Sequence, residues 1–223
     1  MRKILLLVLC LLVGTAAFSE TASQLFAKAK LEKDPTTQIK MLTRVIAKSP
    51  RMADAYHYRA DAYLSQGRNK QALDDYSKTI SLRPRDAFRY YARGLAYQKM
   101  GRYSLALADL SKAISLKSSY RNFYLARARV NVSLEHYEDA LRDYQKYLGK
   151  RKPTNAIAKE MIPVYISAYR YDSAKKQLRA LQAAGDDSAD LYFWIGRVLS
   201  GQNRLDEAVS AYSKAINRDD SYT

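Results

Sequence analysis

The sequence repeats itself with a period of 34 residues, and this period constrains the fold more than any other feature of the chain. Aligning the chain with itself at that interval needs no gap. Alanine recurs at one position of the period in five copies: Ala72, Ala106, Ala140, Ala174 and Ala208. Tyrosine recurs at another position in four copies: Tyr56, Tyr90, Tyr124 and Tyr192. A fixed period of this size indicates stacked copies of one small helical or mixed unit, not a single globular core.

The period divides the chain into six repeats, and each repeat is predicted to contain two helices. Repeats 1 to 6 cover residues 19–52, 53–86, 87–120, 121–154, 155–188 and 189–222. Apolar residues recur at helical spacing on both sides of a Gly or polar break such as Gln66-Gly67-Arg68-Asn69, which predicts two antiparallel helices joined by a tight turn. Alanine or glycine lies where the two helices would touch, so the backbones are expected to approach closely.

These residues resemble the tetratricopeptide repeat family. The resemblance rests on an aromatic residue at the fourth position of the repeat, a small residue at the eighth, tyrosine at the eleventh, alanine at the twentieth and proline near the end. In repeat 2 these are Tyr56, Ala60, Tyr63, Ala72 and Pro84. The resemblance covers essentially the whole chain after the first 18 residues. It implies an all-α fold, a right-handed α-solenoid of antiparallel helix pairs.

Five repeats depart from the pattern of this family. Arginine replaces the usual leucine at the seventh position of repeats 2 to 4, as Arg59, Arg93 and Arg127. Repeat 1 keeps little beyond Leu25, Leu42, Ile46 and Pro50, which favours a degenerate, solvated cap. Repeat 5 has Ala158 in place of the aromatic residue and Pro163 inside its first helix, which predicts a kink and a looser joint.

The second helix of repeat 6 has no following helix in this sequence to cover its outer side. Three of its apolar residues, Val209, Tyr212 and Ile216, would lack the partner that their equivalents have. An exposed apolar patch is typical of self-association. One hypothesis is therefore a homodimer through repeat 6, and the alternative is a helix that tolerates exposure.

The residue pattern argues against an enzyme and against a metal or cofactor site. His57 and His136 are the only histidines and lie more than two repeats apart, so a shared metal site is not expected. His57 is interpreted as a solvated side chain or as part of a groove. Asp74 and Asp75 are interpreted as charges on a helix face, and the glycosylation sequon at Asn131 as a chance match within a helix. Glycine-rich phosphate loops do not occur.

The family resemblance also implies a partner-binding surface. In such proteins the first helices of successive repeats line a concave groove where extended peptides or helices dock. By position the groove would contain His57, Asp61, Phe88, Tyr91, Leu95, Leu125, Arg129, Lys159, Phe193 and Arg197. Aromatic anchors mixed with arginine are typical of protein-binding surfaces, although Leu125 is equally well explained as a shield for inter-helix contacts. The implied function is a scaffold that binds a protein or peptide partner and supports assembly of a cell-envelope complex.

The charge of the chain supports a second function. The formal net charge is +16, with the largest excess in repeats 3 and 4, which include the run Lys150-Arg151-Lys152. Such an excess favours docking on an anionic lipid surface or another polyanion. Nucleic acid is not an expected partner, because the chain is predicted to be exported.

Export is predicted from residues 1–17. Arg2 and Lys3 precede an apolar run from Ile4 to Val13, and small residues follow; this order is typical of a secretory signal with cleavage after Ala16 or Ala17. The run is short for a membrane span. Retention as an anchor and lipid attachment at Cys10, the only cysteine, are the alternatives. The pattern predicts a periplasmic or secreted protein, with a bacterial host as the favoured source.

Overall fold

The computed structural model describes residues 20–219, and the regular structure of this part of the chain is entirely α-helical. The helices are α1 (Ala22–Leu31), α2 (Pro35–Lys48), α3 (Ala53–Ser65), α4 (Asn69–Leu82), α5 (Ala87–Lys99), α6 (Tyr103–Leu116), α7 (Arg121–Ser133), α8 (Tyr137–Leu148), α9 (Asn155–Ser167), α10 (Tyr171–Ala183), α11 (Ala189–Gly201) and α12 (Leu205–Ile216). None of these helices combines the length and apolar character that crossing a bilayer requires. The predicted signal at residues 1–17, with Cys10, lies outside the described residues.

One helix pair falls in each 34-residue repeat, as the sequence predicts for an all-α fold. The two helices of a pair are antiparallel. In repeat 2, Arg83 after the end of α4 reaches Asp54 at the start of α3, whereas Arg59 in mid-helix meets Asp75. The helix pair is thus a hairpin closed by a short turn.

The described residues form two compact units, 20–89 and 90–219, and the division falls within α5. In the first unit α1 packs on α2, α2 on α3 and α3 on α4. Its core contains Leu25, Ala29, Leu42, Val45 and Ala55. In the second unit each helix from α6 to α12 packs on the next, and α9 also contacts α11.

Small residues at the helix contacts allow the two backbones of a hairpin to approach. A Cβ atom at Gly94 of α5 would lie 3.0 Å from Cγ of Leu110 on α6. A Cβ atom at Gly196 of α11 would lie 2.5 Å from Cε1 of Tyr212 on α12, closer than van der Waals contact permits. The corresponding residue of repeat 4, Ala128, is completely buried. The eighth position therefore fixes the spacing of the hairpin.

The turn inside each hairpin from repeat 2 to repeat 6 has one residue in the left-handed conformation, always at the same position of the repeat. The residues at this position are Gly67, Gly101, Glu135, Tyr169 and Asn203, with φ between 57° and 71°. In each turn the next residue's N–H donates to the carbonyl five residues earlier, for example Arg68 to Tyr63 at 2.9 Å and Arg170 to Tyr165 at 2.7 Å. This bond satisfies a carbonyl at the end of the first helix.

Replacing Glu135 with Gly is expected to raise the free energy of unfolding by about 1 kcal/mol, because a residue with a Cβ is strained in the left-handed conformation. Urea denaturation monitored by circular dichroism measures the change. Ser133→Gly at the end of α7 is the control and is expected to lower stability by about 0.5–1 kcal/mol. Equal destabilisation by both glycines would contradict a strained turn at residue 135.

Candidate protein-interaction surface

Three of the predicted partner-binding residues belong to the first compact unit, and His57 and Asp61 lie one turn apart on α3. Nε2 of His57 lies 3.6 Å from Oδ2 of Asp61, and the hydroxyl of Tyr76 donates a hydrogen bond to Oδ1 of Asp61. The side chain of His57 is 26% exposed and that of Asp61 is 52% exposed. The interpretation of His57 as a solvated side chain is therefore wrong, because Tyr58 and Tyr76 pack edge-on against its ring.

Burial determines the protonation of this cluster. Burial lowers the pKa of His57, the Asp61 carboxylate opposes that shift, and the Arg89 guanidinium adds to it. Burial also raises the pKa of Tyr76, with the Asp61 carboxylate contributing in the same direction. At neutral pH the imidazole is therefore neutral and the phenol keeps its proton. Nδ1 of His57 is buried and has no hydrogen-bond partner within residues 20–219.

Phe88, the third predicted residue of this unit, is presented at the start of α5 beside a buried ionic cluster. Its side chain is 40% exposed, and its N–H donates to Oδ1 of Asp86 at 3.0 Å. The neighbouring Arg89 is 8% exposed and forms ion pairs with Asp54 and with Asp86, the latter at 3.1 Å. These contacts fix the backbone that presents Phe88.

In the second compact unit, Tyr91 lies on a buried aromatic support. Its ring centroid is 4.9 Å from that of Phe123, which is completely buried and contacts Tyr120 at 4.7 Å. Tyr91 itself stays partly exposed, and Leu95, one turn further along α5, is also exposed. Burial raises the pKa of Tyr91, whereas the nearby Arg129 guanidinium lowers it. The structure thus brings Tyr91 and Arg129, on successive first helices, close together.

Arg129 is paired within the chain. Its Nε and Nη2 atoms donate to the two carboxylate oxygens of Glu160 on α9, at 2.9 and 2.8 Å. The hydroxyl of the buried Tyr144 reaches the same carboxylate at 3.3 Å. A carboxylate of a partner would therefore compete with Glu160 for this guanidinium. Leu125, on the same side of α7, is half-buried against the cluster that contains Ala128 and Tyr144, which favours the shielding alternative for that residue.

The remaining predicted residues lie on α9 and α11. Nζ of Lys159 lies 2.6 Å from Oδ2 of Asp186, and hydrogen bonds from Lys159 and Ser188 lower the pKa of Asp186 to about 2. Phe193 is half-buried, with Trp194 at 5.0 Å and Tyr212 at 6.0 Å between ring centroids. Arg197 is exposed one turn later, and its Cζ lies 6.0 Å above the Phe193 ring. Phe193 and Arg197 therefore form one cation–aromatic surface.

A series of buried ion pairs, not predicted from the sequence, joins the two helices of repeats 2, 3 and 4. The arginines at the seventh position donate bidentate hydrogen bonds to an aspartate sixteen residues later, at 2.7–2.9 Å. The pairs are Arg59–Asp75, Arg93–Asp109 and Arg127–Asp143. Each aspartate is at most 6% exposed. The interpretation of Asp75 as a helix-face charge is therefore wrong.

Arg59 and Arg127 also link neighbouring repeats. Nη1 of Arg59 donates to the hydroxyl of Thr43 at 3.1 Å, and Nη1 of Arg127 donates to that of Ser111 at 3.1 Å. The aspartate hydrogen bonds raise the pKa of all three arginines. In repeats 5 and 6 the equivalent residue pairs are uncharged, Met161 with Gln177 and Ile195 with Ala211. The ionic series therefore ends with repeat 4.

The three residues predicted to mediate self-association differ in exposure. Val209 on α12 is 63% exposed. Tyr212 and Ile216 are half-buried, and Tyr212 packs against Gly196 and Phe193 of the same repeat. Tyr212 thus belongs mainly to the interior of repeat 6, and self-association through this helix stays a prediction.

The structure bears on two further possibilities, a metal site and glycosylation at Asn131. Within residues 20–219 no three His, Cys, Asp or Glu side chains lie close enough to hold a metal ion. Asn131, which begins the glycosylation sequon, is 3% exposed, and its Nδ2 donates to Oδ2 of Asp143 at 3.1 Å. In the folded chain this amide is therefore inaccessible to a glycosylating enzyme.

Three family models match the chain. One is described as TPR repeat and matches residues 60–101. Two are described as tetratricopeptide repeat and match residues 87–120 and 161–222. No curated protein sequence matches the chain significantly.

Solved structures share the fold of this chain at low sequence identity. YrrB, described as a TPR protein with an unusual peptide-binding site, has a TM-score of 0.70 at 21% identity, over 80% of this chain and 92% of that one. PilW, a type IV pilus biogenesis factor, has a TM-score of 0.66 at 15% identity, over 91% and 93%. PilF of Pseudomonas aeruginosa has a TM-score of 0.63 at 18% identity, over 82% and 83%. These similarities confirm the α-solenoid fold class predicted from the sequence.

Proposed function

The chain belongs to the tetratricopeptide repeat family, and from this premise we propose that it is an exported scaffold that holds an extended peptide or a helix of a protein partner against its first helices. Protein-interaction scaffolding is the function that this family supports. YrrB has a peptide-binding site and PilW serves pilus biogenesis. That precedent supports a role in assembling a cell-envelope complex.

The observation that carries the proposal is the aromatic anchor at Tyr91. Its ring is held by the completely buried Phe123, so little side-chain freedom is lost when a partner covers it. Leu95 lies one turn away on the same face of α5 and is 36% exposed. A preorganised aromatic side chain beside an exposed apolar one is typical of the residues that dominate binding energy in protein interfaces.

Export and the envelope role rest on the N-terminal segment. Arg2, Lys3 and the apolar run that follows have the order of a secretory signal. Mass spectrometry of the protein recovered from the envelope fraction identifies its first residue. A first residue at position 17 or 18 supports export by cleavage, and an intact Met1 contradicts it.

Replacing Tyr91 with Ala is expected to weaken partner binding about 10- to 30-fold, the loss typical of a central aromatic anchor. The partner is first recovered from the envelope fraction by chemical cross-linking and then purified. Its affinity for each variant is measured by isothermal titration calorimetry. Tyr169→Ala is the matched control, because Tyr169 is an 80% exposed tyrosine on a turn outside the predicted surface.

Salt dependence separates this function from docking on a polyanion. Binding through Tyr91 is expected to change little between low and high salt. A steep fall in affinity as salt rises, with loss on neutralising Lys150, Arg151 and Lys152 but not on Tyr91→Ala, would overturn the proposed function. Equal affinities of the Tyr91→Ala and Tyr169→Ala variants would also contradict it.

A further inference from the structure

Repeat 4 contains an open cavity that its sequence creates by losing one aromatic ring. The eleventh position of repeats 2 to 6 is occupied by Tyr63, Tyr97, Asn131, Tyr165 and Leu199. The cavity has a volume of about 390 Å³ and includes Asn131 in its lining. The aromatic ring that the neighbouring repeats have at this position is therefore absent from repeat 4, where the cavity lies.

The cavity lies between α6, α7 and α8 of the second compact unit. Its lining includes Tyr124, Arg127, Asn131, His136, Arg142 and Lys146. Its floor is rigid, because Arg127 is held by Asp143 and Ser111 and Asn131 donates to Asp143. The lining is thus preorganised before any ligand enters.

Repeat 2 shows which chemical group fits this space. The Tyr63 ring lies near two guanidinium groups, with Cζ of Arg59 at 5.7 Å and Cζ of Arg68 at 4.4 Å from its centroid. At the interval of two repeats, Arg59 corresponds to Arg127 and Arg68 to His136. Both of these residues line the cavity. In repeat 3, Cζ of Arg93 likewise lies 5.8 Å from the Tyr97 ring.

A second cavity of the same kind supports the relation between the missing ring and the open space. A smaller cavity of about 120 Å³ lies between α10 and α11, and Leu199 lines it. Leu199 occupies the same eleventh position in repeat 6. Two repeats without tyrosine at this position therefore have an open space beside it.

The cavity is separate from the predicted partner-binding surface. Residues of an α-helix are rotated by about 100° from one to the next, so Tyr124, Arg127 and Asn131 lie about 150° around α7 from Leu125 and Arg129. Substitutions on one side of α7 therefore leave the other side intact.

We propose that the repeat 4 cavity is a binding site for a tyrosine or phenylalanine side chain of a protein partner, with a carboxylate next to that residue in the partner. The ring would make a cation–aromatic contact with the Arg127 guanidinium, as Tyr63 does with Arg59 and Tyr97 with Arg93. The acidic neighbour is inferred from the charge balance of the lining: Asp143 pairs with Arg127 and Asp139 with Arg142, which leaves Lys146 as the excess cation of the lining. The site goes beyond the proposed function, because it lies on the other side of α7.

The capped tripeptide acetyl-Glu-Tyr-Glu-amide tests the site in NMR titrations of the ¹⁵N-labelled protein. We expect saturable shifts of α7 and α8 amides with a dissociation constant of about 0.1–1 mM, the range for one anchored side chain. Replacing the peptide's tyrosine with alanine is expected to abolish saturation. This comparison uses the unaltered protein, so it does not depend on how any variant folds.

Asn131→Tyr fills the cavity with the ring that repeats 2 and 3 already carry, so the variant is expected to fold with an equal or higher melting temperature. Its affinity for the tripeptide is expected to be lower by a factor of about ten or more. Leu125→Ala and Tyr91→Ala are expected to keep tripeptide affinity, which separates this site from the proposed function. Absence of saturable binding to the unaltered protein would overturn the proposal. Equal affinity for the tyrosine and alanine peptides, or undiminished binding to Asn131→Tyr, would also overturn it.

Discussion

Replacing Asp109 with Ala is expected to lower the free energy of unfolding by about 3–5 kcal/mol, the cost of breaking a buried ion pair from one side. Asp109 is 6% exposed and accepts both hydrogen bonds of the Arg93 fork, at 2.7 and 2.9 Å. Its removal leaves a mostly covered guanidinium facing a small cavity. Urea denaturation at equal m-value measures the loss.

Two controls distinguish the unpaired charge from a general loss of packing. The double variant Arg93→Met with Asp109→Gln copies the uncharged pair Met161 and Gln177 of repeat 5 and is expected to recover most of the stability, because no charge remains buried. Asp74→Ala removes an exposed aspartate and is expected to change stability by less than about 0.5 kcal/mol. A double variant as unstable as Asp109→Ala would show that the ion pair itself supplies the stability.

Replacing Phe123 with Ala is expected to lower the free energy of unfolding by about 3–5 kcal/mol, as for other completely buried phenylalanines. Phe123 has no exposed surface, and its ring lies between those of Tyr91 and Tyr120. The substitution leaves a cavity that two large rings cannot close without rotating. Thermal and urea denaturation measure the loss, and Phe123→Leu is expected to cost about 1 kcal/mol because it keeps most of the volume.

The same substitution links stability to the proposed function. Tyr91 is oriented by its contact with Phe123, so Phe123→Leu is expected to weaken partner binding more than its small stability loss explains. A Phe123→Ala variant that unfolds at the same urea concentration as the unaltered protein would contradict the account of Phe123 as the support of Tyr91.

The helix pairs were predictable from the sequence because their determinants are local. Small residues recur at two positions of the period, as Gly94 and Ala106 do in repeat 3, and a Gly or polar break such as Gly101 marks each turn. The structure also shows left-handed turns at Glu135 and Tyr169, which composition alone does not indicate. In these two turns the position in the repeat imposes a left-handed backbone conformation, although Glu and Tyr disfavour it.

The ion pairs are not evident from single residues. Taken alone, Arg59 is a departure from a leucine, and Asp75 is one member of an acidic pair on a helix. The signal was nevertheless present, since arginine and aspartate recur together sixteen residues apart in three repeats, and both are absent from repeat 5, where Met161 and Gln177 replace them. The inter-helix pairing of Arg129 with Glu160 has no repeating signal, because it occurs once. Such a contact depends on side-chain geometry.

The buried arginine–aspartate pairs of the second compact unit stop after repeat 4, so the contacts that hold its hairpins together differ along the chain. Neighbour contacts largely determine the stability of a repeat protein, and repeats 5 and 6 depend on apolar contacts such as those of Ile162 and Leu178. Val209 leaves one side of α12 exposed, so this helix is expected to open locally before α6 to α8 do. A partner that binds across α9 and α11 would restrain this opening, and the free energy of ordering α12 would then offset part of the binding free energy.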